Sequence, residues 1–394
     1  MTDGHRQSRA GRRGPDGLAG QGTRSAITRL SPAFVPQGSA RRSRLVKYLA
    51  VGYTLLIVYA SLYPFRGWRD PPENAFGFIL APWPRYYTIV DLGLNAIGYV
   101  PLGFLVALRM LAFSSTRTAA VAATLVGTAL SLAMESLQAF LPARVPSNLD
   151  LLSNGLGALA GAMVAVTLGD RWFLSGHLYR LRQRVFLPGA LVDLGFVLLL
   201  LWLLTQLNPE LWLFGNGDLR WLFNEAPNLH YNPEFYRWIE TGVTALNLAA
   251  ICLLTAALAR RGQSVVGPLL ALVSAALLVK SIAALTLFKP GDAALWLTPG
   301  SMLGIPAGIL LYLLLGRFPG RVLTMVVAPL LLAGVLVLNM APENPYLHAS
   351  IQTWRHGHFL SFNGVTKLVA TLWPFLAVAY VIWLLLDPPP SART

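Results

Sequence analysis

The chain has 394 residues, of which 55% are hydrophobic and only 12% charged, whereas soluble domains carry about 25% charged residues. Its mean hydropathy is +0.55, and the apolar residues fall into runs of about 20, the length that crosses ~30 Å of hydrocarbon. An ordinary soluble protein is excluded, and a polytopic membrane protein is expected. Lys and Arg number 31 against 17 Asp and Glu, a net charge of +14. In a soluble protein that excess would raise nucleic-acid binding, but in this chain it reads first as membrane orientation, and no nucleic-acid partner is expected. The single cysteine, Cys252, lies in an apolar run, which excludes an intrachain disulfide and a Cys-cluster metal site.

Residues 1–44 are rich in Arg, Gly, Ser and Pro without hydrophobic periodicity, which predicts a disordered basic tail. The first apolar run, VKYLAVGYTLLIVYASLYPF, follows Arg41, Arg42, Arg44 and Lys47 and lacks a small-x-small cleavage site. It reads as a retained signal anchor. Further spans are predicted at roughly 90 to 111, 118 to 140, 149 to 168, 187 to 206, 237 to 258, 265 to 287, 294 to 315, 321 to 340 and 365 to 386, about ten in all. The runs are continuously apolar rather than alternating, and every backbone amide in lipid needs an internal partner, so the fold class is all-α, a bundle of transmembrane helices. The division expected is a tail at 1–44, a four-helix domain at 45–170, a basic cytoplasmic linker at 171–186 and a six-helix region at 187–387.

With the N-terminus inside, 21 of the 31 Lys and Arg residues fall on the cytoplasmic side, so both termini are placed there. Three longer connections, about Pro64 to Thr88, Asn208 to Tyr236 and Pro342 to Val365, are rich in Trp, Tyr, Asn and Pro and are expected outside, at an aromatic interface.

Ionisable groups at membrane depth point to function, and they concentrate in spans two to four. Asp91 and Asn95 lie one turn apart, Glu135 and Gln138 lie at i and i+3, and Asp150 and Asn154 at i and i+4, so each pair shares a helix face. Spans two and four start outside and span three ends there. The rise per residue puts Glu135 roughly 8 Å below its helix end and Asn95 and Asn154 about 6 Å below their helix starts. The three pairs can converge, and the link LPARVPSN adds Arg144, whose guanidinium could pair with one carboxylate and hold another near a site. Three carboxyls at one depth in low dielectric are expected to leave at least one protonated at neutral pH.

Taken singly, each residue has a structural explanation: Asp91 and Asp150 as helix caps, Asn95 and Asn154 as cross-helix bonds, Arg144 as an interfacial anchor. As a set on one side of three consecutive helices, they point to a site. Gly157 and Gly161 form a small-xxx-small face for helix packing, Pro101 with Gly98 and Gly103 can distort span two, and Gly300, Gly304 and Gly308 form a second packing face.

These residues also carry a resemblance. The order N-x-x-x-Y-x-P-x-G from Asn95 to Gly103, E-x-x-Q-x-F-x-P-x-R from Glu135 to Arg144, and D-x-x-x-N-x-x-G-x-x-x-G as Asp150, Asn154, Gly157 and Gly161 resembles the VanZ-like membrane protein family over roughly residues 45 to 170. Where many relatives carry an acid shortly before the last aspartate, this chain has Asn148. The family takes its name from a component associated with resistance to the glycopeptide antibiotic teicoplanin, and its biochemical activity is unsettled. The resemblance therefore implies a bacterial inner-membrane, cell-envelope protein without carrying over a catalytic residue.

Outside this region, Lys280 lies deep in span seven and needs a partner, for which Glu240 is the candidate, while Asp193 in span five is expected to serve a different contact. His356 and His358 at i and i+2 could ligate a metal only with ligands from elsewhere, and no metal or cofactor is expected. No Walker loop, GxGxxG, HExxH or GxSxG occurs, so the usual nucleotide, dinucleotide, zincin and serine-hydrolase chemistries lack sequence support. The reading is a membrane protein, leaning away from an enzyme, that binds an amphiphilic envelope component such as a lipid-linked glycan or glycopeptide-type ligand in an outward-facing polar site, with membrane lipids as its other partners. The alternatives are an intramembrane acid-base enzyme with Glu135 as acid and Asp150 as base, and a proton-coupled transporter or flippase with Lys280 and Asp193 in its relay.

Overall fold

A computed structural model describes residues 38–70, 74–169, 177–208, 210–223, 232–287, 293–342 and 359–388. Most of the expected tail, the histidine pair His356 and His358, and parts of the outer connections lie outside the described residues. Among the described residues the regular structure is helical, with one isolated β-bridge between Phe186 and Ala259.

The first four long helices are α1 (Gly38–Leu62), α2 (Ile89–Met110), α3 (Thr116–Gln138) and α4 (Asn148–Gly169). Their starts follow from local chemistry. Thr88 and Asp91 form a reciprocal capping box at α2, and Ser115 accepts from the Thr118 amide at α3. Ser147 Oγ accepts from the Leu149 and Asp150 amides at α4, which satisfies donors that no preceding helical turn can reach. α1 begins at Gly38, so helix reaches back into the stretch read as tail.

The second half holds α5 (His177–Val185), α6 (Ala190–Thr205), the one-turn α7 (Arg220–Phe223), α8 (Pro233–Ala257), α9 (Val266–Leu287), α10 (Pro299–Leu315), α11 (Gly320–Asn339) and α12 (Phe359–Leu386). The stretch read as a linker therefore contains a short basic helix, whose Arg182 pairs with the buried Asp193 and stacks over Phe196. Among the described residues eight helices are long and apolar enough to cross a membrane, and α6 and α10 are shorter apolar helices of 16 and 17 residues, about 25 Å at the helical rise.

α2 and α4 pack more closely than any other pair in the first half, and glycine makes the approach possible. A Cβ added at Gly157 would overlap the Ala96 carbonyl, one at Gly161 the Val100 carbonyl, and one at Gly103 the Ala158 carbonyl. Positions rise together on both helices, so α2 and α4 are parallel. α3 lies antiparallel across them, with Gly127 against Ala158 and Thr128 against Gly155.

In the second half α8 is central. It is buried along most of its length and is packed by α10 through Gly300, Gly304 and Gly308, and by α11. The core there gathers Trp202, Phe214, Leu248, Ile251, Leu254 and Trp373.

Two sequence expectations are corrected. The start of the connection from Asn208, read as an outer interfacial loop, runs among the helices, with Leu213, Phe214 and Asn216 buried. Backbone without helical bonds is tolerated at such depth only where protein groups satisfy it, and they do so here. The Lys280 ammonium donates to the Asn208 and Leu211 carbonyls at 2.6 and 2.5 Å. Thr244 donates to Leu213, Asn339 to Gly217 and Thr371 to Asp218. Lys280 thus takes backbone carbonyls rather than Glu240 as partners, and Glu240 accepts instead from the Thr298 hydroxyl at 2.6 Å. The sequence offered no sign that a loop would pass beside Lys280.

Three stability outcomes are expected. Gly161→Leu, which drives a side chain into α2 backbone, should cost about 3 kcal/mol or more and lower the thermal midpoint of the detergent-purified protein followed by tryptophan fluorescence. Gly52→Ala, with open space around it, should leave that midpoint unchanged or slightly raised. Lys280→Met should cost about 2 kcal/mol by leaving buried carbonyls without their donor, and hydrogen exchange should rise over residues 210–216. Unchanged exchange there would contradict the role given to Lys280.

Candidate functional site

The register of α2 on α4 builds the site. Asn95 Nδ2 donates to Asp150 Oδ1 at 2.8 Å, and eight residues further along both helices Gly103 meets Ala158. α3 enters from the opposite direction, so its end meets the starts of α2 and α4. There Glu135 Oε2 accepts from the Ser147 amide at 2.9 Å, and the Glu135 carboxyl lies within electrostatic reach of both Asp150 and Arg144.

One turn deeper is a second polar layer. Asn154 Nδ2 donates to Ser131 Oγ at 2.9 Å, and the Tyr99 hydroxyl faces Ser131. Each helix contributes an i, i+4 pair: Asn95 and Tyr99 from α2, Ser131 and Glu135 from α3, Asp150 and Asn154 from α4. The rim residues Asn95 and Asp150 are half-buried, whereas Tyr99, Ser131, Glu135 and Asn154 are buried. The result is a polar column descending from the helix ends into the bundle. The helix bounds shift the expected depths, placing Glu135 about 5 Å from the end of α3 and Asn95 and Asn154 about 9 Å from the starts of α2 and α4.

The remaining expected residues frame the column. Gln138 Nε2 donates to the Ser61 carbonyl of α1 at 3.0 Å. Arg144 donates from Nε and Nη2 to the Tyr63 carbonyl at 3.3 and 3.0 Å and from Nη2 to the Ala60 carbonyl at 3.2 Å. Its guanidinium therefore grips the C-terminal end of α1, where the carbonyls left over by the helix concentrate negative charge. Burial draws the Arg144 pKa below its ordinary value while the Glu135 charge opposes the shift, and a guanidinium remains charged regardless. The Asp91 carboxylate accepts from the Thr88 amide in its own capping box, so its role is at least partly that of a helix start.

The connection after α1 lies over this end. The Arg69 amide donates to the Phe140 carbonyl and Asn148 Nδ2 to the Ala81 carbonyl. Its Trp68, Phe76, Trp83, Tyr86 and Tyr87 are exposed, the composition of a segment at headgroup level.

Sequence reasoning missed Tyr99, Ser131 and Ser147 as members of the column. The signal for the first two was available, since Tyr99 follows Asn95 by four residues and Ser131 precedes Glu135 by four, which puts each on its partner's face. Ser147 acts through its backbone amide, and residue type gives no sign of that.

Residues 28–169, the N-terminal part of the chain, match the model of the VanZ/LLP1 family. All seven polar positions singled out from the sequence, with Gly157 and Gly161, fall inside the matched segment. No curated protein and no solved structure matches the chain.

Arg144→Lys keeps the charge but loses the planar fork, and should loosen the end of α1 by about 1–2 kcal/mol. Hydrogen exchange over residues 58–69 of the purified protein should rise. Exchange equal to wild type would show that the fork is not what holds α1.

Proposed function

We propose that this VanZ/LLP1-type domain is a receptor in the bacterial cytoplasmic membrane for an amphiphilic cell-envelope component, with residues 45–170 forming the receptor and residues 187–387 a six-helix companion joined by the basic linker. The observation that carries the reading is the polar column itself, a graded set of hydrogen-bonding groups running from a half-exposed rim to a buried floor between three apolar helices. Ionisable and amide groups at such depth are costly unless they have a partner or a function. The aromatic connection beside the rim supports an amphiphile, because it puts the mouth of the column where a lipid headgroup meets its chains. In this reading Glu135 and Asp150 accept from hydroxyl or amine groups, and Asn95, Gln138 and Asn154 orient them.

Ten helices crossing the membrane, with α6 and α10 accommodated by local thinning, leave both termini on the cytoplasmic side, in line with the distribution of Lys and Arg. The electrostatic contact of Glu135 with Asp150 also favours a second reading, acid-base chemistry on a lipid-linked substrate. A lipid product that forms in vitro with wild type and disappears in Glu135→Gln would decide for it. A relay through Lys280 and Asp193 loses its support, since the first holds loop carbonyls and the second pairs with Arg182.

The test is lipid mass spectrometry of the purified full chain, wild type against Glu135→Gln and Asn154→Ala. An amphiphile retained by wild type should fall about tenfold in both variants, a change of about 1.4 kcal/mol. Identical lipid profiles in all three proteins would overturn the receptor reading.

A further inference from the structure

We propose that α5 binds acidic phospholipid: it lies along the bilayer surface with Leu178 and Leu181 among acyl chains and with Arg180, Arg184 and Arg260 on lipid phosphates. This face lies outside the polar column, and the inference does not depend on the receptor reading.

One side of the helix is fixed to the second half. Arg182 pairs with Asp193 and stands over the Phe196 ring, which Phe186 meets edge-on. Just past the helix, the Leu187 amide donates to the Leu258 carbonyl at 2.9 Å, the Arg260 amide to the Val185 carbonyl at 2.8 Å and Arg260 Nε to the Phe186 carbonyl at 3.0 Å. α5 is therefore held against the turn between α8 and α9, where Arg260 and Arg261 are exposed.

The rest of the helix is uncovered. Leu178, Leu181 and Val185 follow at i, i+3 and i+7, which makes one apolar stripe. Val185 is 6% exposed, but Leu178 and Leu181 are 47% and 49% exposed, so the stripe continues past the protein that covers its end. Arg180 and Arg184, one turn apart, form a basic stripe alongside it. Both are exposed, and neither makes an ion pair among the described residues.

The path of the chain says what covers the apolar stripe. α4 is an apolar helix of membrane length, and only Phe186 to Gly189 separate α5 from the apolar α6. A short helix tied between two such elements stays at the membrane surface. There an apolar stripe flanked by arginines enters the boundary between acyl chains and headgroups.

Charge then decides the headgroup. The Trp373 indole donates to the Leu198 carbonyl and the Tyr380 hydroxyl to the Leu191 carbonyl, so α12 runs back along α6 and ends on this side, at the exposed Asp387. Asp193 is committed to Arg182. Against Asp387 stand Arg180, Arg184, Arg260 and Arg261, a basic surplus that suits a headgroup of net negative charge and repels a second copy of the same face. Each arginine near an anionic surface favours it about fivefold.

The test uses the purified full chain in nanodiscs of phosphatidylcholine alone and of equal phosphatidylcholine and phosphatidylglycerol. Hydrogen exchange over residues 177–187 should be about tenfold slower in the mixed discs. Native mass spectrometry from those discs should find phosphatidylglycerol retained about tenfold over phosphatidylcholine. The double variant Arg180→Gln, Arg184→Gln should lose both effects, and high salt should weaken both in wild type. Arg117→Gln, at an exposed arginine in the first turn of α3, should keep both. Equal exchange in the two kinds of disc means that acidic lipid does not cover the stripe, whether neutral chains or a second copy do, and overturns the assignment. So does a phosphatidylglycerol preference that survives in the double variant, which puts the acidic lipid elsewhere, or one lost equally in Arg117→Gln, which makes it a property of the whole basic surface.

Discussion

The contact between α2 and α4 is the constraint on which the first half depends. Apolar side chains do not by themselves drive helices together in a lipid solvent, so association relies on close packing and on polar bonds between helices. Gly103, Gly157 and Gly161 let one backbone lie directly on the other. With no side chain to absorb an error, a slip along the helices would bring a Cβ against a carbonyl. The register is thereby held, and with it the meeting of Asn95 with Asp150 at the end of the pair. Packing and polar site are two consequences of one parallel alignment.

The second half meets the same demand with different means. α10 seats on α8 through another row of glycines, so close backbone approach recurs. Here, however, a stretch of irregular backbone is buried, and its carbonyls need donors that a helix would have supplied. Lys280, Thr244, Asn339 and Thr371 provide them from four separate helices. In the first half two side-chain pairs bond across helix faces, Asn95 to Asp150 and Asn154 to Ser131, within one column shared by α2, α3 and α4, and that shared column is the reason for placing the candidate site there.

Legibility in the sequence follows the same division. Helix positions were readable because hydrophobic length is a one-dimensional property, and each of the ten predicted spans overlaps an apolar helix of the structure. The grouping of Glu135, Asp150 and Asn95 was readable because alternating direction and helical spacing place them at one end. What Arg144 touches was not readable, since its partners are backbone carbonyls of α1 more than eighty residues away. Ser147 was missed for the same reason, because a backbone amide has no residue type. The course of the segment after Asn208 depends on helices that close around it later in the chain, and its Trp, Asn and Pro content fits a surface loop equally well.

Helix polarity explains why the charges in the first half stand where they do. Parallel packing brings the starts of α2 and α4 side by side, so two positive helix ends lie together. Asp91 and Asp150 occupy the first turns of those helices, and Glu135, although it belongs to α3, directs its carboxylate at the Ser147 amide that opens α4. The one cation of the cluster, Arg144, lies at the opposite kind of terminus, against the last carbonyls of α1. An antiparallel α2–α4 pair would have put a carbonyl-rich end beside Asp150 and disfavoured the acids. The glycine seam, by making the pair parallel and close, sets the field that lets carboxylates stand at the mouth of an apolar bundle.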